Sequence, residues 1–146
     1  MAFLLRLLGL SDEPTPIQRA RERLTDRPEA FIVVAQAFYQ PHGGRDRVVL
    51  TFDNDAATIE RRRTRKSSWN ARRRLGSAEA AELRAAIEAW QPWSWAPPQP
   101  VGKDGLECTF VFARAGAVHE VRCQGAAPAL VGARLEQLTR LIPHVT

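Results

Sequence analysis

The chain has 146 residues, with 21 Lys and Arg against 16 Asp and Glu and a formal net charge of +5. That length predicts one domain, large enough to bury an apolar core without staples. Two cysteines are too few for a disulfide framework, and neither they nor the three histidines show zinc spacing. The reading is a chain with no metal and no cofactor, in a reducing, cytoplasmic setting.

The opening "MAFLLRLLGL" is too short to span a bilayer, which takes about 20 residues, and lacks the parts of a signal peptide. Phe3, Leu4, Leu7 and Leu8 follow helical spacing. They predict a short helix closing the core, with a membrane-surface foot or a partner-binding helix as alternatives. Pro14 and Pro16 interrupt it. "IQRARERL" then makes a short charged helix with Ile17, Ala20 and Leu24 on one side. Residues 1–30 are read as an N-terminal helical appendage on a single α+β domain spanning 31–146.

"AFIVVAQAFYQ", 30–40, predicts a strand apolar on both faces at its start, hence central. "PHGGRD" is a loop, "RVVLTF" (47–52) a second strand, and "DNDA" a turn. "ATIERRRTRK" (57–66) is a third strand, "SSWN" a turn, and "ARRRL" (71–75) a fourth strand. The period then changes. Ser77 is an N-cap candidate for a helix whose stripe is Leu83, Ile87 and Trp90, ended by Pro92. The proline-rich 91–105, with Trp93 and Trp95, predicts a segment laid over the sheet. "LECTFVFAR" and "AVHEVRC" form a hairpin about Ala115-Gly116. Its register sets Phe110 opposite Val121, Phe112 opposite His119, and Cys108 opposite Cys123, with both thiols buried and reduced. A last helix, 128–142, carries Val131, Leu135, Leu138 and Ile142. The fold class is therefore α+β. A three- to four-strand antiparallel meander plus a C-terminal hairpin carries helices packed on one face.

The unusual stretch is 59–76. It holds Arg61, Arg62, Arg63, Arg65, Lys66, Arg72, Arg73 and Arg74, with Trp69 among them. Without those eight basic residues the chain holds 13 Lys and Arg against 16 Asp and Glu, so the positive charge is local. Pairing about "DNDA" sets Leu50 opposite Ile59 and Val48 opposite Arg61. A core face thus turns charged, and the strand must run beyond the body or bulge. A turn at "SSWN" would oppose Arg65 to Arg72 and Arg63 to Arg74, at a cost of roughly 0.2–1 kcal/mol per like-charged pair. Asp46 and Glu60 are the nearby acids in sequence. The surplus predicts a surface for an anionic partner, with the eight basic residues and Trp69 as the partner-binding set. Arg and Trp are the residues of protein interfaces, which favours an acidic protein. Arg forks and a stacking Trp also suit nucleic acid, though the sequence signatures of nucleic-acid folds are missing.

No catalytic residue is expected. "HGG" and "VGKDG" lack the context of a phosphate loop, Ser67 and Ser68 have no histidine nearby in sequence, and Asp53 and Asp55 sit in a turn. His119 ends an apolar column, where a hydrogen-bonded packing role is the common one.

Leu75-Gly76-Ser77 before a helix, Asp104-Gly105 before a hairpin, His119 within it and Pro128 before a last helix make a layout. Over about residues 31–142 that layout resembles the protealysin-inhibitor (emfourin) family of metalloprotease inhibitors. The long basic hairpin and residues 1–30 depart from the family pattern, and no inhibitory residue is carried over. The resemblance implies a small bacterial protein that binds and neutralises another, as an inhibitor or an immunity protein for a toxin.

Overall fold

β1 (Phe31–Tyr39) is the middle of the structure because its sequence is apolar on both sides. Phe31, Val33, Ala35 and Ala37 point to one face, Ile32 and Val34 to the other, and all six are buried. The computed structural model describes residues 14–39, 44–64, 68–95 and 106–123, with 134, 137, 138 and 140. β2 (Gly44–Phe52), β3 (Ala57–Thr64) and β4 (Ser68–Leu75) follow β1 as an antiparallel meander. β5 (Leu106–Arg114) and β6 (Ala117–Cys123) form a hairpin that joins the same sheet on the other side of β1. The result is one six-stranded sheet of order β4-β3-β2-β1-β5-β6, all pairs antiparallel.

The meander ends at one edge and the hairpin begins beside β1, so the chain must cross the sheet between them. It does so through α2 (Ser77–Ala89) and a 3-10 turn, Pro92–Ser94. Gly76 is the N-cap of α2, not Ser77, and makes no side-chain cap bond. Ile87 is buried in the core and Leu83 and Trp90 pack on it, so the predicted stripe is the inward one. After the helix Gln91 takes a left-handed conformation (φ 53°), and Pro92 prevents continuation. Leu138 joins the same core. The rest of the predicted stripe of the last helix (Val131, Leu135, Ile142) and the apolar residues 1–10 lie outside the described residues.

The expectation of helices on one face is corrected. α1 (Pro16–Asp26) packs Ala20, with Ile17 and Leu24, against Ile32, Val34, Val49, Val111 and Ala113 on the opposite side from α2. Both faces of β1 and β5 are apolar, and a sheet apolar on both faces needs a cover on each. The segment read as an appendage supplies the second cover. Its start is built by the local sequence: the Thr15 side chain accepts from the Gln18 amide while the Gln18 side chain accepts from the Thr15 amide, and Pro16 sits in the first turn.

Two strand bounds also move. β2 begins at Gly44 rather than 47, because Asp46 and Arg47 are buried with side-chain partners and the ladder runs on through Phe38↔Arg45 to Tyr39↔Gly44. β4 begins at Ser68 rather than 71, with Thr64 opposite Ser68, so the chain reverses between those two residues and most of "SSWN" is strand. The β5–β6 register is the expected one, with Cys108↔Cys123, Phe110↔Val121 and Phe112↔His119.

The second core predicts that α1 unfolds together with the sheet. Ala20→Leu is expected to overpack that face and cost about 1–3 kcal/mol. Thr15→Ala should cost about 1 kcal/mol through the lost cap. Urea unfolding followed by tryptophan fluorescence checks both. A detached helix would leave the global midpoint of both variants unmoved.

Candidate functional site: a two-sided arginine hairpin

Alternation along β3 sends Arg61 and Arg63 to the α2 face and Glu60, Arg62 and Thr64 to the α1 face. β4 likewise places Arg73 and Ala71 on the α2 face, and Asn70, Arg72 and Arg74 on the α1 face. Val48 stands opposite Arg61 and Leu50 opposite Ile59, as the turn at 53–56 requires. The strand neither bulges nor runs out beyond the body. It stays paired to β2 as far as Arg45↔Thr64.

What holds the charged end of the sheet together is an ion pair on the α2 face. Arg61 donates from Nε to Asp46 Oδ1 at 2.9 Å and from Nη2 to Oδ2 at 2.6 Å. The side chains are only 9% and 7% exposed, so this is a buried two-pronged pair and not a surface bridge. Asp46 and Arg61 are diagonal neighbours on paired strands, within reach of a long side chain. Arg63 Nε lies 3.8 Å from the same carboxylate. At the other end of this face Arg73 pairs with Glu79 of α2 at 2.7 Å. Arg61, Arg63 and Arg73, three of the predicted binding residues, thus face acids of this chain.

The α1 face carries the other three described arginines of the hairpin. Arg62, Arg72 and Arg74 are exposed on it. The expected oppositions of Arg65 to Arg72 and Arg63 to Arg74 do not occur. Arg72 stands opposite Glu60 and Arg63 opposite Trp69, because the reversal comes earlier than expected. A like-charged opposition occurs elsewhere, between Arg47 and Arg62. Arg47 is held by bonds from Nε and Nη2 to Gln36 Oε1 (2.8 and 2.6 Å) and from Nη2 to the Pro14 carbonyl (2.7 Å). Arg45 lies over the Phe38 ring, 5.4 Å from its centroid. Arg23 of α1 reaches Glu60 at 2.8 Å. Between α1 and the strands these groups bound a cleft of about 280 Å³. Arg19 and Arg23 line its helix side, Arg45, Arg47 and Arg62 its floor, and Asn70 and Arg72 its far side, with Arg61 also reaching its lining and Glu60 the acid among them. Arg74 lies away from it, beside Asp26, Asp53 and Asp55 in a second cleft.

Of the predicted set, Arg65 and Lys66 lie outside the described residues, and for Trp69 only the backbone position is described. Arg19, Arg23, Arg45 and Arg47 escaped the sequence reading. One signal was present: if Val48 opposes Arg61, then Arg47 must oppose Arg62. Nothing local signalled Arg19 and Arg23, which reach the cleft only because α1 lies on this face.

The tryptophans after α2 are packing groups. Trp95 meets Phe110 and Phe112 edge-on at 5.6 and 5.4 Å between ring centroids, and its indole N–H donates to the Trp90 carbonyl at 2.9 Å. Trp93 packs on Phe112, and the Arg114 guanidinium lies over the Trp93 ring, 4.6 Å from its centroid. His119 Nε2 donates to the Trp95 carbonyl at 2.7 Å, which ties β6 to the crossing segment. Among the described residues no three His, Cys, Asp or Glu side chains gather as a metal site, and no helix is long and apolar enough to cross a membrane.

The buried pair generates a stability prediction. Asp46→Ala leaves the Arg61 charge buried and should cost about 3–5 kcal/mol, whereas the double change Asp46→Leu/Arg61→Met should come out near neutral or stabilising. Chemical denaturation of wild type, both single variants and the double variant gives the coupling directly. Additive losses would show that the two charges do not act as a unit.

No protein-family model matches the chain and no curated protein matches it, so a functional reading rests on the placement of its own side chains.

Proposed function

We propose that this chain is a non-catalytic binding protein of the inhibitor or immunity type. It docks an acidic surface of a protein partner through the α1 face of the β3–β4 hairpin. The observation that carries this reading is the exposure of Arg62, Arg72 and Arg74 together on one face of the hairpin. On the α2 face Asp46 and Glu79 answer Arg61 and Arg73 from within the chain. On the α1 face Arg62 and Arg72 are exposed beside a cleft lined by further arginines. Positive charge exposed on one side of an otherwise mildly acidic chain steers an anionic partner to that side.

The docking set is accordingly Arg62, Arg72 and Arg74, with Arg65 and Lys66 kept from the sequence expectation; position 69, opposite Arg63, belongs to the α2 face, so Trp69 is left out of this set. Arg61 serves the sheet instead. A cytoplasmic setting belongs to this reading, as does the inhibitor-like role that the emfourin resemblance implies. Nucleic acid is the competing partner, and salt and nuclease separate the two.

The triple variant Arg62→Glu/Arg72→Glu/Arg74→Glu should fold normally, since exposed changes cost within about ±0.5 kcal/mol each. In affinity capture from the native cell it should lose the partner that wild type retains, and wild-type capture should survive nuclease. Against a duplex, affinity would fall with salt at a slope of roughly −0.9 per phosphate contacted, whereas a protein partner keeps a salt-resistant part. Capture unchanged by the triple substitution would sink the docking reading, and capture abolished by nuclease would replace the protein with nucleic acid.

A further inference from the structure

We propose that Cys108 and Cys123 form a redox-modification site. A small disulfide of the glutathione type converts this dithiol to a cross-strand disulfide that staples the end of β6 to β5. The site is independent of the docking described above, because β6 and β4 are the two opposite edges of the sheet.

The register carries the inference. The chain has two cysteines. Cys108 has one neighbour across β6, and that neighbour is the other cysteine. Opposed residues of an antiparallel pair have Cα atoms about 4.5 or 5.5 Å apart. Both values lie within the span of about 4.4–6.8 Å that a disulfide bridges. The ladder therefore joins the two positions without moving the backbone.

Packing alone does not ask for this rung. Cys108 is 0% exposed and belongs to the α2-face core with Phe110 and Phe112. A small apolar residue at 108 suits that core, with Ala37 beside it on β1, but nothing in the packing requires the same residue type across the rung. The neighbouring rungs of this face, Phe110↔Val121 and Phe112↔His119, pair unlike residues.

Position assigns the two roles. Burial keeps a reagent from Cys108. Cys123 is the last residue of β6, at the end of the ladder away from the Ala115-Gly116 turn, and is the entry thiol. Its thiolate attacks one sulfur of the small disulfide, breaking that S–S bond and expelling a thiolate. The Cys108 thiolate then attacks the Cys123 sulfur and expels the second. Two protein thiols are oxidised and the small disulfide is reduced to two thiols. The two protons lost by the cysteines pass to the two leaving thiolates. In a reducing setting the pair rests as thiols, and an oxidising challenge closes it. The bond encloses the whole turn of the hairpin, so it restricts the unfolded chain and raises the folding equilibrium constant by on the order of a hundredfold.

The test exposes the reduced, folded full chain to oxidised glutathione, quenches with N-ethylmaleimide under denaturing conditions, and reads intact mass and peptide map. Wild type should lose two hydrogens, take up no maleimide and give a peptide linked through Cys108 and Cys123. Cys108→Ala should instead hold a stable glutathione adduct on Cys123, and Cys123→Ser should stay unmodified while folded. The urea midpoint of wild type should rise on oxidation and return with dithiothreitol, and that of Cys123→Ser should not respond. Wild type that keeps two maleimide-reactive thiols, that stops at the glutathione adduct, or whose midpoint is unmoved or lowered by oxidation overturns the proposal. Those three readouts use wild type alone, so they stand even if a cysteine variant fails to fold.

Discussion

The bidentate pair between Asp46 and Arg61 is the constraint on which the charged half of this sheet depends. At Val48 and Leu50 the α2 face is apolar core, and at the next inward position of β2 it is a carboxylate. A carboxylate at 7% exposure is tolerable only with a partner held in good geometry, and Arg61 supplies both prongs of its fork. With that pair in place β2 and β3 continue as a ladder to Arg45↔Thr64. A one-residue slip of β3 would carry Arg61 to the opposite face and strand Asp46 in the core. The pair therefore discriminates between registers, even where its net contribution to stability is small.

Part of the α1 face follows from that register. It fixes Arg62 opposite Arg47, while the separate β3–β4 pairing puts Arg72 opposite Glu60. α1 is held on the same face by Ala20, Ile17 and Leu24, so Arg19 and Arg23 come down beside the strands. Two apolar facts, a core on each side of β1, thus decide where charge gathers. Hydrophobic burial sets the positions of the helices, and electrostatics fills what remains between them. The like-charged opposition of Arg47 and Arg62 works against the sheet by roughly 0.2–1 kcal/mol. The partly buried bonds of Arg47 to Gln36 and Pro14, which link β2 to β1 and to the segment before α1, work the other way.

The opposite side shows how differently the same residue type behaves beside rings. Arg114 over Trp93 and Arg84 over Phe31 pair guanidinium groups with aromatic faces near the packed core. The tryptophans of the crossing segment, attractive as interface anchors in sequence, close the end of the core over Phe110 and Phe112. β4 is an edge strand of the sheet and carries Arg72, Arg73 and Arg74. Charge there also guards the edge against pairing with another chain.

The sequence by itself determined most of the local grammar. Apolar residues on both sides of β1 made it central. The turn at 53–56 set Val48 against Arg61, and the Ala115-Gly116 turn set Cys108 against Cys123. These are short-range matters of side-chain period and turn chemistry, readable within about twenty residues. It also pointed to Asp46 and Glu60 as the acids near the basic run. What it left to the tertiary structure was the side of the sheet on which each helix lies, because amphipathicity says that a helix has an apolar face and not which surface it covers. The extra length of β2 and β4 was hidden for a related reason. Asp46, Arg47 and Asn70 look like loop residues until partners on other strands satisfy them. The gathering of Arg19, Arg23, Arg47, Arg62 and Arg72 around one cleft was decided last of all. It needs three separate pairings and one helix placement at once, and no stretch of sequence contains more than a part of it.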